Sequence, residues 1–187
     1  MSSAEPFVSP TAYLPPLSWL AAARRCGGWL VEGHENYQKR SWRNRCRIVG
    51  ANGPQTLTVP LVKGKNRQTP IREVRISYDE DWVRDHRRAI RAAYGRAPFF
   101  EHYAAGIFDV LGCRPPTLWE LNHDLLSHLL ERVGFPVRPR VTTTFRGPYP
   151  TDLGDPVAPY PQVFEDRHGF VGGMSVLDGL FCLGPAL

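Results

Sequence analysis

No run of apolar residues in the chain approaches the roughly 20 that a helix needs to cross a bilayer. The first residues, Met1-Ser2-Ser3-Ala4-Glu5-Pro6, have neither the basic start nor the long apolar core of a secretory signal. A cytoplasmic protein with no membrane span is the expectation. Cysteine is scarce and scattered: Cys26, Cys46, Cys113 and Cys182 form no C-x-x-C pair. That spacing argues against a zinc site and against a disulfide framework, and leaves four buried free thiols. G-x-S-x-G, the P-loop and G-x-G-x-x-G are all missing, so three common catalytic and phosphate-binding devices lack their signature. His102, His123 and His128 spell no H-x-x-x-H pair, which would place two metal ligands on one helix face. Neither a metal nor a cofactor is expected. Low-complexity segments and internal repeats are also lacking.

What is present is an ordinary globular composition in 187 residues, enough for one domain with a proper core. A net charge of +5 favours anionic partners such as phosphate esters, nucleotides or nucleic acid.

Taken in order, residues 5–10 read as a strand, residues 18–26 as a helix stopped by Gly27-Gly28, and residues 29–32 as a compact apolar strand. Strand, helix and strand in this order predict a βαβ unit. A central strand over 40–49, a tight turn at Asn52-Gly53 and a returning strand over 56–59 predict a hairpin. Residues 63–69 are polar and basic and read as mobile, and 71–76 alternates as a half-buried strand. Three helices follow. The first has acids at its start, an inward face of Trp82, His86, Ile90 and Ala93, and Gly95 at its end. The second opens at Pro98 and closes at Gly112. The third carries a capping box at Thr117-Leu118-Trp119-Glu120 and buries Leu118, Leu121, Leu125, Leu129 and Val133. Residues 141–145 read as a strand. Residues 147–161 hold five prolines and read as a surface loop that could act as a lid. Ser175 opens a last short helix ending near Gly184-Pro185. The expectation is a single α/β domain over 1–187: a mixed β-sheet from the βαβ unit and the hairpin, with helices packed on it.

Chemistry concentrates in residues 37–46. As a strand, this stretch alternates Trp42, Asn44, Cys46 and Ile48 on one face with Ser41, Arg43, Arg45 and Arg47 on the other. Closely spaced arginines need an anion or paired carboxylates among them. Lys39, Asn44 and Arg45 are the leading candidates to bind a phosphate or carboxylate, since guanidinium holds such groups through two parallel bonds. The competing reading is a structural network with Glu32, Glu35 or Glu101. Cys46 is either a thiolate favoured by neighbouring arginines or a buried structural thiol. His86 is a general base or a core histidine. Phe99, Phe100 and Tyr103 are core packing, or Tyr103 stacks on a ring while Glu101 accepts from a hydroxyl. Ser175 and Asp178 have the spacing of a helix cap. Arg84, Arg87, Arg88 and Arg91 recur at helical spacing and could meet nucleic-acid phosphates, but acids at Asp81 and Asp85 favour a solvated face.

The order of Tyr13-Leu14-Pro15, Tyr37-Gln38-Lys39, Asn44-Arg45, Asn52-Gly53, residues 57–60, His86, Tyr94, Pro98-Phe99-Phe100-Glu101-x-Tyr103 and Ser175-x-x-Asp178 resembles the WbqC-like family over about residues 8–186. That family takes its name from a protein encoded among O-antigen biosynthesis genes. The resemblance implies a bacterial setting and surface-polysaccharide chemistry on an amino sugar or nucleotide-linked sugar, as acyl or aminoacyl transfer. On this reading Lys39, Arg43 and Arg45 hold the phosphate or carboxylate, His86 moves a proton, and Lys39 stands with His86 as a catalytic residue. Asn44 and Tyr103 orient the substrate, with Tyr13, Gln38 and Glu101 completing the site. The rival reading is a non-enzymatic binding protein for an anionic metabolite. Nucleic acid is a less favoured partner, and the sequence leaves the oligomeric state open.

Overall fold

The computed structural model describes residues 5–62, 68–150, 153 and 157–187. The chain opens with β1 (Phe7–Pro10), α1 (Leu17–Cys26) and β2 (Trp29–Glu32). Gly27, at φ +65°, ends α1 in the left-handed conformation that glycine tolerates at a helix C-terminus. β1 and β2 run parallel, with Phe7 opposite Trp29 and Pro10 opposite Glu32. β5 (Pro139–Val141) adds to the other side of β2, also parallel, making β2 the central strand of three. The βαβ unit expected from the sequence is therefore present.

The second sheet is the hairpin of β3 (Arg45–Gly50) and β4 (Gly53–Thr58), paired from Arg45 opposite Thr58 to Gly50 opposite Gly53. Gly53 has φ +98°, which a side chain would resist. Three helices follow: α2 (Trp82–Tyr94), α3 (Phe100–Gly112) and α4 (Leu118–Arg132). The inward face predicted for α2 is the one it buries. α4 begins with the predicted capping box: Thr117 accepts from Glu120 N, and Glu120 accepts from Thr117 N. After the one-turn α5 (Glu165–His168), α6 (Val176–Leu183) is capped by Ser175, whose Oγ accepts from Leu177 N at 3.3 Å. The α/β class is as predicted, with the strands divided between a parallel sheet and an antiparallel hairpin. One buried cluster, including Trp19, Trp29, Ile48, Ile90, Leu111, Leu125 and Phe181, joins both sheets to the helices. Among the described residues no helix is long and apolar enough to cross a membrane.

Three predicted strands need correction. Residues 40–44 are not extended. Arg40 takes φ +55°, Ser41 Oγ donates to the Gln38 carbonyl at 2.6 Å, and the chain turns until β3 begins. The row of Ser41, Arg43, Arg45 and Arg47 on one strand face therefore does not form. Residues 71–73 form a 3₁₀ turn after Pro70 that puts Ile71 and Val74 on one buried side, three residues apart. Only isolated bridges at Arg75 and Ile76 remain of the predicted strand. The strand predicted at 141–145 lies earlier, at β5, because Thr142 turns its hydroxyl onto Glu32 at 2.8 Å. Most of the basic stretch expected to be mobile, and part of the proline-rich loop, lie outside the described residues.

Candidate functional site

The chain leaving the carboxyl end of β2 carries two buried carboxylates. Burying a carboxylate is costly unless hydrogen-bond donors surround it, and both are surrounded. Glu32 accepts from His34 N at 2.7 Å, Thr142 Oγ1 at 2.8 Å and Arg146 N at 2.7 Å. Glu35 takes a two-pronged bond from Arg43, with Nε at 2.8 Å and Nη2 beside it, and a further bond from the Tyr149 hydroxyl. Burial, and then that bond to Glu35, push the Tyr149 phenol well above its ordinary value, so it stays a donor. Arg43 is only 1% exposed. Its guanidinium is committed to Glu35, the pairing that sequence reasoning weighed against ligand binding.

Beside this pair lies a cavity of about 670 Å³, walled by residues 34–39 and Phe145. A second cavity, of about 450 Å³, is walled by Tyr37, Lys39, Arg40, Asn44, Arg45 and residues 58–62. Tyr37 and Lys39 belong to both walls. Asn44 shapes this region rather than projecting freely: its Oδ1 accepts from the Tyr37 hydroxyl at 3.2 Å and its Nδ2 donates to the Val59 carbonyl at 3.0 Å. Val59 N returns a bond to Asn44 O at 2.8 Å, carrying the ladder one step beyond the hairpin.

Among the described residues, Lys39, Arg40 and Arg45 form no ion pair. Arg45 Nε is enclosed without a hydrogen-bond partner. Among the described residues, Glu35 is the one acid in these walls, and it is already neutralised by Arg43. The two cavities therefore present net positive charge, and α/β proteins commonly bind ligands beyond the carboxyl ends of their parallel strands.

His86 sits elsewhere. Its Nδ1 faces the Tyr13 hydroxyl at 2.9 Å, and its ring meets Trp82 edge-on. Burial lowers its pKa to about 4, partly offset by a bond to the Thr58 backbone. It is thus neutral near pH 7. The same burial raises the Tyr13 phenol, so Tyr13 donates to Nδ1 and Nε2 carries the proton toward the Thr58 carbonyl. Desolvation, not a cationic neighbour, depresses this histidine. Its bonds reach neither Lys39, Asn44 nor Arg45, and its link to the cavities is the backbone of Thr58.

Of the remaining candidates, Gln38 lines the larger cavity. Tyr13 is fully buried beneath His86. Glu101 is exposed on the first turn of α3, Tyr103 is buried beside His102, and neither borders the two cavities. Cys46 is buried and its thiol is pushed well up by desolvation, which disfavours thiolate. Cys113, expected to be buried, is exposed. Asp178 is buried and accepts from Tyr160 at 2.6 Å and Gln162 at 2.7 Å, tying the last loop to α6. On α2, Arg84 lies among Asp81 and Asp85, while Arg87 and Arg91 cover the Phe108 ring. Sequence reasoning missed His34, Asn36 and Phe145. Only their position just beyond the ends of β2 and β5 could have signalled them.

The model of the WbqC-like protein family matches residues 11–148, a range that includes every described wall residue of both cavities. The uncharacterized protein Rv1507c of Mycobacterium tuberculosis is 38% identical over 112 residues, which make up 59% of this chain and 48% of that protein. The chain thus spans about half the length of the curated relative it matches. No solved structure matches the chain.

Proposed function

The chain belongs to the WbqC-like protein family, and from that premise we propose that it binds a nucleotide-linked amino sugar in the making of a bacterial surface polysaccharide. The observation that carries this reading is the cation set of Lys39, Arg40 and Arg45, which forms no ion pair among the described residues, around cavities whose one described acid is already bound to Arg43. Lys39 and Arg45 hold the phosphates, as their charge and hydrogen-bonding forks suit. Asn44 contributes by fixing Tyr37. The glycan setting comes from the family.

As a catalyst the protein is a transferase: the sugar amine attacks the carbonyl of an activated acyl or aminoacyl donor, the amide bond forms as the donor's leaving group departs, and the amine gives up a proton. Lys39 supplies an amine to the wall of the larger cavity, and His34 supplies an imidazole to the same wall. Proton transfer by a positioned side chain needs hydrogen-bond reach to the substrate, and His86 has none to either cavity. That enclosure favours a second reading, a binding or carrier protein for the same ligand.

Calorimetry of the full chain against UDP-linked amino sugars tests the shared part. Micromolar binding that is abolished by Lys39→Ala together with Arg45→Ala supports it. Unaltered binding in that double variant refutes it. Adding acyl and aminoacyl donors and following the sugar amine by mass spectrometry then separates transferase from carrier.

A further inference from the structure

Among the described residues two large hydrophobic side chains are exposed, Val62 and Phe145, and Phe145 is 59% exposed. Both border the cationic cavities: Val62 the smaller, Phe145 the larger. A single exposed apolar residue is ordinary on a protein surface. A phenyl ring in the wall of a cavity of about 670 Å³, which it shares with Lys39, is not.

The ring is also held in place. Phe145 follows Thr142, whose hydroxyl donates to Glu32 at 2.8 Å and whose carbonyl lies 2.9 Å from His34 Nε2. The next residue, Arg146, donates its backbone N–H to Glu32 at 2.7 Å, and Tyr149 donates its hydroxyl to Glu35. Two buried carboxylates thus anchor the strap on either side of the ring. Within the strap the ring rests on Gly147, where a Cβ would fall 2.4 Å from the ring's Cζ. A larger residue at 147 would displace it. The segment uses two buried charges and a glycine to hold an aromatic face open to a cavity that Lys39 also lines.

We propose that Phe145 is the stacking platform for the nucleobase of an anionic ligand whose phosphate lies at Lys39. The ligand class is a nucleotide or a nucleotide-linked sugar, and the proposal rests on the anion-binding reading above. A base offers a flat π-face that stacks on an aromatic side chain whatever its hydrogen-bonding edge. Phosphate offers charge to lysine. The cavity lies within the size range of small-molecule sites. Gly147 is a positioning residue for this ring.

The test compares the 5′-monophosphates of adenosine, guanosine, cytidine, uridine and thymidine with ribose 5-phosphate, by calorimetry on the full chain. At least one nucleotide is expected to bind about tenfold or more tightly than ribose 5-phosphate, the size of a base–aromatic stack. Phe145→Ala removes that preference and leaves ribose 5-phosphate affinity unchanged. Phe145→Trp keeps it. Gly147→Ala reduces it by moving the ring, and Lys39→Ala weakens nucleotide and sugar phosphate alike. Because Phe145 is exposed, Phe145→Ala should keep the wild-type circular dichroism and melting curve. A preference that survives Phe145→Ala, or an equal loss of both ligands, overturns the platform. Binding of ribose 5-phosphate without any nucleotide preference overturns the platform and spares the anion site. Binding of neither overturns both.

Discussion

Tyr13 and His86, 73 positions apart in the chain, meet in the core with the phenolic oxygen 2.9 Å from Nδ1. The pair joins the loop after β1 to α2. Both groups are buried, and burial holds each in its neutral form. The bond is therefore one between uncharged partners at neutral pH, and it depends on the imidazole staying unprotonated.

That dependence predicts acid sensitivity. The His86 pKa in the fold, about 4, lies below the ordinary value of 6.5. The unfolded chain therefore binds the proton more readily. Stability from this residue is present above pH 6.5 and is lost as the pH falls toward 4. Linkage puts the loss between pH 7 and 4.5 at roughly 2–3 kcal/mol. Urea unfolding at the two pH values should show it, and His86→Gln, which does not titrate, should flatten that part of the profile. Asp178 acts with the opposite sign. Its pKa is raised, chiefly by burial, so its contribution is present at low pH and fades as the pH rises through its folded value. An equally steep acid loss in His86→Gln would assign the slope to other groups.

The second prediction concerns Glu35 and Arg43. Removing one partner of a buried ion pair leaves an uncompensated charge, at a cost of about 3–5 kcal/mol. Glu35→Ala also strips Tyr149 of its acceptor. Replacing both members, as Glu35→Leu with Arg43→Met, should be markedly less damaging than Glu35→Ala. Guanidinium unfolding of the three proteins gives the comparison. A double variant no more stable than Glu35→Ala would mean that the packing of the pair, not its charge, holds the site together.

Thr117 illustrates what the sequence made legible. Its capping box was visible as Thr-x-x-Glu before a leucine-rich stripe, and the structure contains both reciprocal bonds. Thr117→Ala should cost about 1 kcal/mol, read as a lower melting temperature without change in ligand affinity. The βαβ unit, the hairpin and the buried face of α2 were legible for the same reason: each follows from a local period or a local turn. The candidate site was only half legible. Lys39, Asn44 and Arg45 could be singled out as a polar, cationic group. The direction of each side chain could not, because a single left-handed residue, Arg40, breaks the alternation on which that reading depended. Arg43 is drawn inward by Glu35, a partner in a loop whose path local periods do not encode. His34 and Phe145 meet in one wall through the pairing of β2 with β5, strands more than 100 residues apart in sequence.

Cysteine reactivity follows from burial. Cys113 is exposed, while Cys46 is enclosed and its thiol held well above its usual value by desolvation. A maleimide at pH 7 should label Cys113 readily in the native protein and reach Cys46 only after denaturation, since thiolate is the reactive form. Mass spectrometry of peptides from the two states distinguishes them. Rapid native labelling at Cys46 would show that the hairpin opens far more easily than its burial implies.

The last prediction sets Arg45 against Arg88. Both carry one positive charge, so a ligand that senses only the net charge of the protein loses equally from either substitution. Their surroundings differ. Arg45 is half-buried in the wall of the smaller cavity, with its Nε enclosed and unpartnered, while Arg88 is exposed on α2. A charge-assisted bond to phosphate from a sheltered guanidinium contributes roughly 1.5–3 kcal/mol, about 10- to 100-fold in affinity. An exposed guanidinium away from the ligand contributes only a long-range field, which salt screens beyond about 10 Å at 0.1 M. Arg45→Ala should therefore weaken binding of a nucleotide-linked sugar by at least tenfold at 0.15 M salt, and Arg88→Ala by less than twofold. Lowering the salt should enlarge the effect of Arg88→Ala and leave that of Arg45→Ala nearly constant. Equal losses with the same salt dependence would mean that the phosphate does not enter the cavity beside Arg45, and that its cations act on the ligand only as part of a basic surface.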